Sequence, residues 1–230
     1  MINKNKQTVV LLSGGVDSST CLAMAVRACG AGNILAVNMY YGQRHDREMS
    51  SARDIANYYG VELMEMDLSV IFAQSDSSLL KHSTGDIPHG SYGEQLKPLK
   101  GAPISTYVPF RNGLMLAAAA SIAVSVGAAE VYYGAHADDA AGGAYPDCTP
   151  QFTSYINKAI NAGTNHTVSV VAPFIRKHKD DIVRMGLELG VPYELTWSCY
   201  VGGDKPCGQC GTCIDRQKAF EANGVKDPLL

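Results

Sequence analysis

Thr8-Val9-Val10-Leu11-Leu12-Ser13-Gly14-Gly15-Val16-Asp17-Ser18-Ser19-Thr20 is the stretch on which the reading of the fold turns. Its first five residues are β-branched or aliphatic without alternation, the pattern of a strand buried on both faces of a parallel sheet. Two glycines end the run, and a helix-like stretch over 17–29 follows, closed by Gly30 and Gly32. This order places residues 13–20 at the carboxyl end of a strand, where open parallel sheets bind ligands. Glycines let a phosphate approach the backbone, hydroxyls donate to it, and the helix N-terminus adds partial positive charge. A tight turn with Asp17 or Ser18 as a helix cap is the plain alternative for Gly14-Gly15 alone. The complete octet directly after a buried strand favours phosphate.

Outward from this stretch, residues 34–39 read as a second buried strand, 44–59 as a helix ended by Gly60, and 61–66 as a third strand. A βαβαβ order implies a parallel sheet with right-handed crossovers. Residues 85–109 carry Gly and Pro at short intervals and read as a long functional loop. Further helices are expected over 111–126, 151–162, 179–189 and 214–222, and strands over 130–133 and 168–171. A second Gly/Pro/Asp loop spans 138–150. With no repeat or linker, the expectation is one α/β domain, Rossmann-like, over 1–230, carrying a small cysteine-rich segment at 199–213.

A chain of 230 residues can hold one substantial core. Hydrophobic residues at 46% against 18% charged exclude an intrinsically disordered chain. The net charge is −3, and the densest cationic stretch, Arg176-Lys177-His178-Lys179, runs straight into Asp180-Asp181. Such a balance argues mildly against a nucleic-acid-gripping face and for a small-molecule substrate. The first apolar run stops at Ser13, far short of the roughly 18 residues a membrane span needs. A cytoplasmic location is therefore expected, with the seven cysteines reduced or bound to metal.

Cys199, Cys207, Cys210 and Cys213 follow the spacing C-x₇-C-x₂-C-x₂-C, interleaved with glycines. Four thiolates that converge in this way close a tetrahedral structural zinc site. An iron–sulfur cluster satisfies the cysteine count, but the compact spacing suits Zn²⁺ better. Pro206-Cys207-Gly208-Gln209-Cys210 also matches half of the zinc-deaminase signature. The other half fails, because His136-Ala137-Asp138 has Asp where the proton-shuttling Glu belongs. Four cysteines would also leave no open position on the metal. Cys21 and Cys29 fall on a helix as packing residues, while Cys148 lies in a loop without an assigned role.

The octet has no Lys in P-loop position and no Gly-x-Gly-x-x-Gly fingerprint. It resembles the SGGxDS loop of the PP-loop ATP pyrophosphatase superfamily, which cleaves ATP between its α- and β-phosphates. The resemblance implies an adenine nucleotide alpha hydrolase-like fold. It also implies that Ser13, Gly14, Gly15, Val16, Asp17, Ser18 and Ser19 surround the pyrophosphate of ATP. A substrate oxygen would attack the α-phosphorus, and Asp17 would partner Mg²⁺, which prefers oxygen ligands. Five more strings, Tyr41-Gly42-Gln43-Arg44-His45, Val108-Pro109-Phe110-Arg111-Asn112, Gly134-Ala135-His136-Ala137-Asp138-Asp139, Tyr145-Pro146-Asp147-Cys148 and Leu195-Thr196-Trp197-Ser198-Cys199-Tyr200, extend the likeness. With the cysteine cluster they resemble the 7-cyano-7-deazaguanine synthase family of queuosine biosynthesis from end to end.

That resemblance implies a catalytic set of Asp17, Ser18 and Arg111, the last contacting phosphate or carboxylate in bidentate fashion. Asp138, Tyr145 and Asp147 are implied to read the guanine-like edge of the base, and Lys177 and His178 to contact ATP. The family's reaction joins 7-carboxy-7-deazaguanine, ammonia and ATP to give the 7-cyano compound. A carboxylate lacks a good leaving group, so it is adenylated, aminated to an amide, and the amide oxygen is adenylated in turn. Four of seven cysteines assigned to metal and two to a helix leave only Cys148, for which nothing indicates a glutaminase triad, so free ammonia is expected. Related synthetases suggest a homodimer. Other PP-loop enzymes are the alternative, either a tRNA sulfur-transfer enzyme or a paralogue that attaches a deazaguanine to another acceptor. Sulfur transfer would need a catalytic cysteine pair and an RNA-binding surface, whereas Cys148 is single. A nucleotide-sensing or zinc-binding module that binds ATP without turnover is the reading from a different class.

Overall fold

In a computed structural model, which describes residues 5–100 and 102–230, the central strand β1 (Thr8–Leu11) pairs in parallel on both sides. Its neighbours are β2 (Ile34–Tyr40) and β4 (Glu130–Tyr132), with β3 (Glu62–Asp67) and β5 (Ser169–Val171) at the edges. The order is β3-β2-β1-β4-β5. Val9 and Val10 are both fully buried but belong to two different cores, one on each face of the sheet. That double burial explains an apolar run without alternation.

On one face Val9, Leu35 and Val37 meet α4 (Arg111–Val126) through Leu116, Ala119, Ala120 and Ala123. The i, i+3, i+4, i+7 spacing puts these four on one side of the helix. Three of them being alanine lets α4 lie close against β1. On the other face α1 (Val16–Cys29), α2 (Arg47–Tyr59), α7 (Lys179–Leu189) and α8 (Gly211–Ala222) bury Leu22, Ile55, Ile182 and Phe220. Cys21 is fully buried in this second core, a packing residue as its helical position implied.

From β1 the chain winds outward through β2 to β3, then returns and winds the other way through β4 to β5. The loops after β1 and β4 therefore flank the reversal point, where α/β sheets of this kind open a crevice. α2 begins at Arg47, three residues later than the sequence implies, because 42–44 are drawn against 79–81. Arg44 N–H donates to Leu79 O at 3.1 Å, and Lys81 N–H donates to Gly42 O at 2.8 Å. Within 85–109 the structure adds the short helix α3 (Tyr92–Leu96), started by a Ser91–Glu94 capping box. α5 (Ala137–Ala140) and α6 (Pro150–Gly163) complete the helices. α8 starts at Gly211, so Cys213 lies in its first turn rather than before it.

Candidate functional site

The loop after β1 is fixed by its own hydroxyls. Ser13 N–H donates to Ser18 Oγ at 3.2 Å, the two hydroxyls lie 3.0 Å apart, and Ser18 Oγ–H donates to Gly15 O at 3.2 Å. Gly14 holds φ +85°, and a β-carbon there would sit 2.5 Å from Glu48 O and 2.6 Å from Ala52 N. Only glycine lets this loop press against α2. From the other side Trp197 N–H donates to Gly14 O at 2.9 Å. Ser13, Gly15, Asp17 and Ser18 line a cavity of about 230 Å³ at the reversal point. Gly14, Val16 and Ser19 do not line it. Gly14 is taken up by α2, Val16 is core, and the Ser19 hydroxyl is buried without a hydrogen-bond partner.

Charge in the cleft centres on Asp17. Its carboxylate receives the Lys179 ammonium at 2.7 Å on Oδ1, and His136 Nε2 lies 3.8 Å from Oδ2. Burial pushes the Asp17 carboxyl up, but Lys179 and then His136 outweigh it and hold it below the usual carboxylate range. His136 Nε2 is also 3.4 Å from Asp139, whose carboxyl burial raises against the opposing pull of His136. Asp215, reaching in from α8, is likewise raised by burial.

The cationic run before α7 is sorted by helix geometry. Lys179, which the sequence reading passed over, faces the cleft. His178 instead caps α7 and pairs with Asp138 through Nδ1 at 2.6 Å. Lys177 is not part of the cleft wall. Asp138 is turned the same way, with its Oδ2 accepting from Lys179 N–H at 2.8 Å, so it braces α7 rather than lining the cleft. Asp147 is buried behind the wall, where its Oδ2 accepts from Asn112 N–H at 2.8 Å and fixes the first turn of α4.

Opposite the loop, Arg111 enters from the first turn of α4. Its guanidinium lies 4.7 Å over the Tyr41 ring, and among the described residues it makes no ion pair. Tyr145 faces it from the wall, its hydroxyl 2.8 Å from Thr106 Oγ1 and 3.3 Å from the Tyr200 hydroxyl. Tyr92 stacks edge-on against Tyr145 at 5.9 Å between centroids. The cleft thus has a hydroxyl-lined and charged end at the β1 loop and an aromatic end holding the Arg111 guanidinium. Cys148 lies between, buried, receiving Asn112 Nδ2–H at 3.2 Å. Burial pushes its thiol well up, so it is not a reactive thiolate.

The sulfurs of Cys199, Cys207, Cys210 and Cys213 all lie within 4.8 Å of one another, and Cys207 Sγ is 4.0 Å from Cys213 Sγ. Thiolates at 2.3 Å from a tetrahedral zinc stand about 3.8 Å apart, so the donor set and spacing fit that ion. The segment is no outlying appendage. Trp197 and Ser198 before it, Tyr200 and Thr212 within it, and Asp215 after it, form one wall of the cleft. Buried Arg216 secures it from behind. It donates to Asp227 at 2.7 and 3.0 Å, to Thr196 Oγ1 at 2.7 Å and to Tyr193 O at 3.0 Å.

No helix among the described residues is long and apolar enough to cross a membrane. In solved structures the fold resembles that of NMN synthetase from Francisella tularensis, with a TM-score of 0.51 over 96% of this chain and 79% of that one, at 14% identity. Curated relatives are much nearer in sequence. The chain is 44% identical to a 7-cyano-7-deazaguanine synthase of Archaeoglobus fulgidus, covering 97% of this chain and 90% of the relative. It is 41% identical to one of Thermoplasma acidophilum, over 98% and 92%, and 39% identical to one of Psychromonas ingrahamii, over 98% and 97%. The family model described as "Queuosine biosynthesis protein QueC" matches residues 7–224. With that match running from β1 through the cysteine segment that walls the cleft, the chain belongs to the QueC family of queuosine biosynthesis.

Proposed function

We propose that this chain is an ATP-dependent carbon–nitrogen ligase that converts 7-carboxy-7-deazaguanine and ammonia into 7-cyano-7-deazaguanine. Acyl and imidoyl adenylates would form in turn in the same cleft. One observation carries the reading: the hydroxyl-lined loop and the Asp17–Lys179 pair face an unpaired Arg111 across one cavity. ATP fits with its β- and γ-phosphates on the loop of Ser13, Gly15 and Ser18, and Lys179 swings from Asp17 to the leaving pyrophosphate. Arg111 orients the substrate carboxylate for attack on the α-phosphorus, and Tyr145 packs the deazaguanine ring. Most of the acceleration comes from holding the reacting atoms in line and meeting developing charge with fixed donors. Asp17 and Asp139 would hold Mg²⁺, which neutralises phosphate charge when bound. Zn²⁺ on the four cysteines would be structural, fixing the Trp197–Tyr200 wall.

Incubating the purified chain with 7-carboxy-7-deazaguanine, ATP, Mg²⁺ and ammonium tests this by mass spectrometry. The nitrile with AMP and pyrophosphate is expected. ADP as the nucleotide product, or no nitrile, contradicts it.

A further inference from the structure

A second, much smaller cavity of about 10 Å³ adjoins the cleft, lined by Tyr41, Gln43, Arg44, His45, Glu48, Leu79 and Tyr200. Tyr41, Gln43, Glu48 and Tyr200 line both cavities, so the two adjoin at these side chains. The volume admits one water-sized molecule and nothing larger. Its wall is held rigidly by the pairing of 42–44 with 79–81, and the Gln43 amide oxygen accepts from Tyr41 N–H at 2.9 Å. Arg44 and His45, two of the lining residues, carry buried side-chain nitrogens, Nε and Nδ1, without a hydrogen-bond partner. Glu48 makes no ion pair among the described residues although it stands in the same cleft as Arg111.

Ammonia matches this wall. Its three N–H groups can be given to acceptors such as the Glu48 carboxylate and the tyrosine hydroxyls, which leaves its one lone pair free. A bound carboxylate placed on Arg111, whose guanidinium lies 4.7 Å over the Tyr41 ring, would stand beside these shared side chains.

We propose that this small cavity is the ammonia-binding site and that Glu48 is the base of the amination step. The proposal rests on the adenylating reaction given above. The nitrogen lone pair attacks the carbonyl carbon of the acyl adenylate, the carbon–oxygen bond to phosphate breaks, and AMP leaves with that electron pair. The proton lost from nitrogen passes to the Glu48 carboxylate and then to water. Burial pushes the Glu48 carboxyl up to about 7, with Arg111 opposing, which suits a group that accepts and releases a proton near neutrality.

Two variants of the full chain test it. Glu48→Gln keeps size and shape. The expected result is a loss on the order of 10²-fold in kcat/KM for ammonium, against a much smaller loss in acid-dependent ATP–pyrophosphate exchange, which needs no ammonia. Leu79→Ala enlarges the small cavity alone and is expected to let methylamine serve as nucleophile, giving the N-methylamide by mass spectrometry. Equal losses in both half-reactions for Glu48→Gln, or an unchanged ammonium dependence, would overturn the ammonia site while leaving the adenylating reaction standing. Absence of acid-dependent exchange in the unaltered chain would overturn both.

Discussion

At the residue scale, Lys179 and Gly14 decide what the cleft can do. Among the four consecutive basic residues 176–179, only Lys179 brings its charge to Asp17, because it opens α7 while Arg176 and Lys177 precede the helix and His178 caps it. The sequence reading placed the cation one and two residues early, at Lys177 and His178. Cap geometry decides that choice, and a single sequence does not display it. Lys179→Ala should lower kcat/KM for ATP by about 10²-fold or more, measured by steady-state kinetics with ATP varied. A loss below threefold would remove Lys179 from phosphate handling. Gly14→Ala meets both a left-handed backbone and the main chain of α2. It should destabilise the protein by about 2 kcal/mol or more in urea unfolding and abolish turnover. Full stability would mean that the loop is free to move off α2.

At the element scale, the long buried strands and helices were legible, and the short ones were not. Residues 8–12, 34–39, 111–126 and 179–189 announce themselves because each buries a continuous face. α3 has five residues in a Gly/Pro-rich stretch and rests on one capping box, too little periodicity to register. The cysteine segment was legible as four thiols that could hold one metal ion but not as a wall of the cleft. Trp197, Tyr200 and Asp215 reach the cavity only through tertiary packing. Metal and activity should therefore be linked. Cys210→Ala is expected to lose zinc by elemental analysis, melt at a lower temperature and lose turnover together. Activity surviving without zinc would contradict that link. Asp227→Ala leaves the buried Arg216 guanidinium without its carboxylate and should cost about 3–5 kcal/mol in denaturant unfolding. A cost under 1 kcal/mol would show that the segment is not anchored there.

At the scale of the whole molecule, the order β3-β2-β1-β4-β5 creates a reversal point, and Asp17, Glu48, Arg111, Asp139, Lys179 and Asp215 line the cleft there. The nature of the sheet and the place of the β1 loop at the cleft were readable from 13 residues. Which of Asp138, Tyr145 and Asp147 face the cleft was not, because two of these carboxylates brace helix starts instead. Under the proposed reaction, the acid and the amide would be activated at the same place in this one cleft. The stoichiometry of AMP release tests that directly, with 7-carboxy-7-deazaguanine or 7-amido-7-deazaguanine supplied to the same enzyme with ammonium present in both cases. The account predicts two AMP per nitrile from the acid and one from the amide, with both activities lost together in Lys179→Ala. An amide that is not converted, or a nitrile formed from the acid with a single AMP, would contradict it.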